Sequence, residues 1–429
     1  PRASPGDDLA RRLLPVVRAT REAIRDFAKA SSRSGRFVVR YRAGPDEAVL
    51  PYLLEAADAA WMAVTARLGP DGPSRIRIEL LPTLEALSAA SGLTVPEVHE
   101  SGAVAVCKFN KLMLVSPSAL PWGYPYADTV AHELVHYVLT LRGGEDLPVW
   151  FQEAVAKYLE PSWRGGRPGE LTRGARDRLS TALAQGRLVP FSTIRTSLAK
   201  LPSESVALAF AELSTFAGAL ERDHGPEVFA RLATEMGRGD PDAAFRRVTG
   251  RTPADAASEW SKDLARRGFD APEGSVPTVL AREAEKDLAR RLPPDVSEPV
   301  RLGDLLQSRG RPVAAAVEYR KALSASPEPH PAIVARLASV LVAASSAAEA
   351  VAALDAARLD EGEYPILSGI RGRALVAMGR PGEAMPHLLA AVRTDPYDPA
   401  VHEALERAYG EAGDAAAADR ERRLAAMWR

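Results

Sequence analysis

From about residue 296 onward the chain repeats itself with a period of about 34 residues, and no other feature restricts the fold as tightly. Leu302-Gly303, Leu306, Gly310, Ala315, Tyr319, Ala322 and Pro327 form one set. Leu337-Ala338, Leu341, Ser345, Ala350, Leu354 and Ala357 form the next. Arg371-Gly372, Leu375, Gly379, Ala384, Leu388, Ala391 and Pro396 form a third, and Leu405, Tyr409, Gly413 and Ala418 begin a fourth. Small residues recur where two paired helices must come close, and large ones fill the space between. A unit of this length cannot bury its apolar face alone, so the pattern predicts helix pairs stacked on their neighbours. Pro272, Pro277, Pro293 and Pro294 mark a boundary near 270–295.

These positions, agreeing in phase over three copies and a terminal cap, resemble tetratricopeptide repeats. The resemblance implies an all-α solenoid over residues 276–429 with a concave groove for a peptide or protein partner.

Upstream, the pattern is mixed. With 429 residues, two or three domains are expected. Residues 1–30 read as one amphipathic helix, with Leu9, Leu13, Val17, Ile24 and Phe27 near one stripe, broken by Ser31 to Gly35. This defines an N-terminal helical segment, 1–34. Phe37–Tyr41, Ile76–Leu80, Ala103–Cys107 and Leu112–Val115 alternate as strands, the last two around a Phe109-Asn110 turn. Helices are expected at 46–68, 83–91, about 128–141 and about 148–159. From 171 to 268 the pattern is helical throughout, predicting four or five helices and no strand. The provisional segments are thus 35–170, an α+β subdomain, and 171–275, a helical subdomain.

Composition excludes several functions. The net charge of −1 points to neither nucleic acid nor an anionic membrane. The single cysteine, Cys107, permits neither an intramolecular disulfide nor a cysteine-based zinc site; it reads as a small core residue on a strand. No run of eighteen apolar residues is present, so no transmembrane helix is expected. The sequence opens at Pro1, which leaves any targeting segment unread and the compartment open, with the cell envelope or secretion placed ahead of the cytoplasm.

The chemistry concentrates in His132-Glu133-Leu134-Val135-His136. Residues four apart on a helix share one face, so the two imidazoles can bind one tetrahedral zinc ion. Glu133 lies roughly 100° round the helix from His132 and can reach a water there without ligating the metal. Val130, Leu134, Val138 and Leu141 form an apolar back. Only seven histidines are present, and two fall in this pattern. A catalytic zinc usually takes a third protein ligand. Arg142 to Glu145 offer no histidine, which leaves Glu145, Glu153 and Glu160. Glu153 is best placed, on a helix after the Gly143-Gly144 turn with Trp150 and Ala156 three residues to either side.

Ala131 to His136, followed by Leu147-Pro148-Val149-Trp150-Phe151-Gln152-Glu153-Ala154-Val155-Ala156, resembles the gluzincins, specifically the bacterial peptidase MA-like group. The resemblance spans roughly residues 35–268. It implies an α+β zincin-like peptidase domain with a helical subdomain, ahead of the all-α tetratricopeptide-repeat solenoid. It also implies His132, His136 and Glu153 as ligands of one Zn2+ and Glu133 as general base. Ala154 stands where those relatives carry glycine. Phe210 stands where many carry a tyrosine whose hydroxyl could donate to the oxyanion; Tyr124, Tyr126, Tyr158 and His224 are the candidates to replace it.

The implied activity is zinc-dependent peptide-bond hydrolysis, with an edge strand within 103–117 aligning an extended substrate and the repeats recruiting proteins. Two rivals stand beside it: a catalytically degenerate peptidase-like scaffold whose repeats bind a protein partner, and a zinc hydrolase acting on a non-peptide bond.

Overall fold

The computed structural model describes residues 8–69, 72–120, 123–196, 198, 201–268, 292–362 and 364–428. The chain divides into two compact units, residues 1–171 with 179–270, and residues 172–178 with 271–429. The first unit is mixed α/β and the second is a run of helices.

The sheet of the first unit has five strands: β1 (Ala28–Ser31), β2 (Phe37–Tyr41), β3 (Ile76–Leu81), β4 (Ala105–Lys108) and β5 (Lys111–Val115). Their spatial order is β1-β2-β3-β5-β4. The β2-β3 and β3-β5 pairs are parallel, and the outer pairs β1-β2 and β4-β5 are antiparallel. Phe109 and Asn110 close the β4-β5 hairpin with φ of 56° and 54°, the left-handed pair that matches strand twist in a two-residue turn. On one face, Met113 and Val115 of β5 and Leu81 of β3 cluster with Leu87 and Ala90 of α3 (Leu84–Ser91). The alternate residues of β5, Leu112 and Leu114, are also fully buried, so this strand is covered on both faces, as parallel neighbours require.

The second cover positions the site. Helix α5 (Tyr126–Gly143) packs on β4, on β5 and on α2 (Leu50–Leu68). It stops at Gly143, where a Cβ would stand 2.4 Å from the Ala233 carbonyl oxygen of α10 (Val228–Met236); only glycine permits that approach. Pro148 then leads into α6 (Val149–Leu159), which returns against α5. Among the described residues upstream of 268 the further helices are α1 (Asp8–Ala23), α4 (Val95–Ser101), α7 (Arg173–Ala184), α8 (Phe191–Thr196), α9 (Ser203–His224), α11 (Pro241–Thr249) and α12 (Pro253–Arg267).

Three expectations are corrected. The N-terminal helix ends at Ala23, and Ala28–Ser31 form β1 instead, their backbone groups paired antiparallel with Val38–Tyr41 of β2. The stretch 171–268 holds six described helices, not four or five. Leu141, expected on the apolar back of the motif helix, is 40% exposed, while Val130, Leu134 and Val138 are buried. The expected stripe residues Leu9 and Leu13 and the boundary prolines Pro272 and Pro277 lie outside what is described at side-chain level.

In the second unit, four helix pairs follow one another: α13 (Pro294–Ser308) with α14 (Pro312–Ala325), α15 (Pro331–Ala343) with α16 (Ala347–Ala357), α17 (Pro365–Ala377) with α18 (Pro381–Val392), and α19 (Pro399–Glu411) with α20 (Ala415–Ala426). The first helices of successive pairs also touch, α15 on α17 and α17 on α19. The recurrent small residues have a steric reason. A Cβ on Gly303 would meet the Tyr319 ring at 2.5 Å, and one on Gly372 would meet Leu388 at 2.5 Å. Tyr319 and Leu388 are both fully buried.

Candidate metal centre

Helices α5 and α6 bring His132, His136 and Glu153 together. The Nε2 atoms of the two histidines are 3.1 Å apart. Glu153 places Oε2 3.2 Å from His132 Nε2 and Oε1 3.6 Å from His136 Nε2. The side chains are 12%, 14% and 18% exposed, so the cluster is mostly buried with limited access to solvent. Among the described residues this is the cluster of metal-ligating groups with ligand atoms in mutual reach.

The outer nitrogens define what the inner ones can do. His132 Nδ1 lies 3.1 Å from Glu160 Oε2. Glu160 is held down to about 2, because Lys157 and His132 outweigh the burial that opposes its charge; an ionised carboxylate only accepts, so Nδ1 donates. His136 Nδ1 lies 3.2 Å from Gln152 Oε1. The Gln152 amide nitrogen donates to the Leu147 carbonyl, which turns its oxygen toward His136, so this Nδ1 donates too. Both neutral imidazoles therefore present bare lone pairs from Nε2, facing each other and a carboxylate. Glu153 Oε2 is buried, and its near neighbour is His132 Nε2 at 3.2 Å. Two imidazole nitrogens and a carboxylate converging in this way favour positive charge between them, a proton or a cation.

That demand appears as proton affinity. Burial opposes charge on His132, but hydrogen bonding to Glu153 and Glu160 prevails and lifts it to about 9. Glu153 is likewise drawn down to about 2, the histidines overcoming the cost of burial. Two imidazole nitrogens and one carboxylate are a donor set that suits Zn2+ in a site with an open fourth position, and the residues present fit such an ion.

Glu133 is buried, 7% exposed. Burial raises its carboxyl above the ordinary value, while His136, His132 and a backbone hydrogen bond from Cys107 pull the other way. Cys107 sits on β4, the sheet edge, and is half-buried; burial pushes its thiol up. The edge strand thus runs beside the motif glutamate.

The other expected residues separate clearly. Glu160 orients His132 from its far side and does not join the cluster, and Glu145 is exposed. Phe210 lies on α9 with the Lys157 ammonium 5.2 Å from its ring centre, near the Glu160 that holds His132. The Tyr124 hydroxyl donates to the Val115 carbonyl, Tyr126 is fully buried, and Tyr158 faces Glu221. His224 is in the last turn of α9. Sequence reading missed Gln152 and Lys157. Lys157 stands one helical turn beyond Glu153, its ammonium 2.6 Å from Glu160. A cation four residues after a candidate ligand was the available signal. Asp128, in the first turn of α5, accepts from Trp163 Nε1 at 2.7 Å and pairs with Arg164, tying the motif helix to the segment after α6.

Among the described residues, no helix is long and apolar enough to cross a membrane. The chain matches no protein-family model and no curated protein.

Proposed function

We propose that the chain is a zinc-dependent peptidase of gluzincin type, with His132, His136 and Glu153 holding one zinc ion. The observation that carries this reading is the convergence of two histidine Nε2 atoms and the Glu153 carboxylate in one buried cluster. When bound, zinc would supply Lewis acidity for the scissile carbonyl and lower the pKa of water toward neutrality. Glu133, raised by burial and placed beside both histidines, takes a proton from water and returns it to the leaving amine. Glu160 and Gln152 fix the tautomers and ring planes of the histidines. Strand β4 would pair with an extended peptide by backbone hydrogen bonds, and the helix pairs of residues 294–426 would act as tetratricopeptide repeats recruiting protein substrates.

Metal analysis joined to one substitution tests the reading. Glu133→Gln keeps the shape of the side chain and removes its basicity, so zinc content and Tm should stay near wild type while peptide turnover falls about 10²–10⁴-fold. Chelator-resistant cleavage that survives Glu133→Gln would sink it.

Phe210 favours the second reading, a degenerate scaffold, since no phenol stands at that place and the hydroxyls of Tyr124 and Tyr158 are engaged elsewhere. On that reading the wild type shows no chelator-sensitive cleavage at all, and Phe210→Tyr does not restore any unless the phenol reaches the reacting oxygen.

A further inference from the structure

A second site lies in the helical part of the first unit. Helices α8, α9 and α12, with residues 188–190, line a partly open cavity of about 310 Å³, within the range of small-molecule sites, about 300–1,000 Å³. Its lining includes Phe191, Ile194, Phe216 and Trp260, and one acid, Glu212. Phe216 is the hub of the aromatic wall, with ring centres 5.5 Å from Phe191 and 5.9 Å from Trp260.

Glu212 is the anomaly. It is 1% exposed. One oxygen accepts from the Val189 backbone N–H at 2.9 Å, and the other is buried with no hydrogen-bond partner among the described residues. The Trp260 indole N–H is buried and unpartnered as well. Arg195 also lines the cavity, but its guanidinium pairs with Asp242 at 2.8 Å. Burial lifts the Glu212 carboxyl to about 7 against the Val189 hydrogen bond; among the described residues no cation offsets the burial.

We infer that this cavity is a binding site for a small organic ammonium ion with an apolar body. The inference rests on elimination by chemistry. One carboxylate without further ligands is a poor site for a metal ion, which requires several. An anion would be repelled. A purely apolar occupant would leave the Glu212 oxygen unsatisfied. An ammonium group donates to that oxygen and lies among the aromatic rings of Phe191, Phe216 and Trp260, which line the same cavity and favour a cation over an anion. The hydrocarbon remainder fills the space beside Ile194.

Titration calorimetry of the full chain at pH 8, where Glu212 is mostly ionised, tests this with phenethylammonium and its neutral analogue 2-phenylethanol. The amine should bind at one site per chain, at least about tenfold more tightly than the alcohol, which is one decade in Kd. Glu212→Gln leaves an oxygen for Val189 N–H, and should bring the two ligands to similar affinity. Independently, the amine should shift the indole N–H resonance of Trp260, assigned by its loss in Trp260→Phe, in the wild-type protein. The inference is overturned if the amine shows no advantage over the alcohol, if the advantage persists in Glu212→Gln, or if the Trp260 resonance does not move. Should Glu212→Gln not fold, the wild-type preference and the Trp260 shift decide alone.

Discussion

His132 and His136 point their Nε2 atoms at each other across 3.1 Å while Glu160 and Gln152 engage the opposite nitrogens. A pair of imidazoles whose outer nitrogens both donate leaves two lone pairs facing each other. Either a proton bridges them or a cation does, and the adjoining Glu153 carboxylate favours the larger charge. On the zinc reading proposed above, binding the metal and losing that proton would be one event.

Removal of zinc is the first consequence. Dialysis against a chelator should lower Tm, and readdition should restore it with one zinc per chain, because an ion bound only to the folded state stabilises by mass action. His132→Ala, His136→Ala and Glu153→Ala should each abolish the restoration. A zinc-dependent Tm retained in Glu153→Ala but absent in Glu145→Ala would show that the wrong carboxylate has been assigned.

Glu160 should behave differently from a ligand. Glu160→Gln keeps a hydrogen-bond acceptor for His132 but loses the charge that fixes its tautomer, so zinc affinity should fall about 10–100-fold without vanishing. Lys157→Met, which frees Glu160 from its 2.6 Å ion pair, should shift zinc affinity by less. Competition with a metal indicator measures both, and complete loss of zinc in Glu160→Gln would place that carboxylate on the metal.

Glu79 and Lys111 form an ion pair of 2.5 Å between β3 and β5, with side chains 1% and 8% exposed. Lys111→Met would leave a carboxylate buried without its partner, a loss of about 3–5 kcal/mol. The double variant Lys111→Met with Glu79→Leu should recover most of it. Chemical denaturation of the three proteins is the measurement, and equal stability of the single and double variants would contradict this account.

Much of the architecture was legible because it is periodic. Helical spacing located α2, α5 and α6, alternation located β2, β3 and β5, and the 34-residue recurrence anticipated a run of paired helices. What escaped was short or non-local. Ala28-Lys29-Ala30-Ser31 has no β-branched residue, and it is a strand only because β2 lies beside it. Helix α4 is seven residues long, yet its capping box was present in the sequence, with Thr94 and Glu97 bonding each other's backbone N–H. Glu153 could be singled out from its own helix. The roles of Gln152 and Glu160 could not, since each depends on a histidine 16 or 28 residues away.

Glycines in the second unit should separate by contact. Gly303→Ala and Gly372→Ala would each drive a methyl into Tyr319 or Leu388 at 2.5 Å, and overpacking costs about 1–3 kcal/mol. Gly410, on α19, has nothing within 4 Å of the same position, so Gly410→Ala should stabilise by up to about 1 kcal/mol through helix propensity. Thermal melts of the three variants should move in opposite directions; a common direction would mean that propensity, not packing, governs these positions.

Glu212 makes the sharpest pH prediction. Its carboxyl ordinarily titrates at 4.5, and in the fold it is lifted to about 7 by burial. Below pH 4.5 the group is protonated whether the chain is folded or unfolded, and the stability linked to this raised value is fully present. As pH rises, the unfolded chain ionises first, and the contribution is lost until the folded-state value is passed. At about 1.4 kcal/mol per pH unit, the loss is on the order of 3 kcal/mol, undiscounted for solvent because the side chain is 1% exposed. Gln does not titrate. The stability of Glu212→Gln relative to wild type should therefore climb between pH 4.5 and 7 and level off above, whatever constant offset the amide introduces at low pH. A difference that stays flat across that window would mean that the folded chain does not hold Glu212 protonated, and that something other than the described residues compensates its charge.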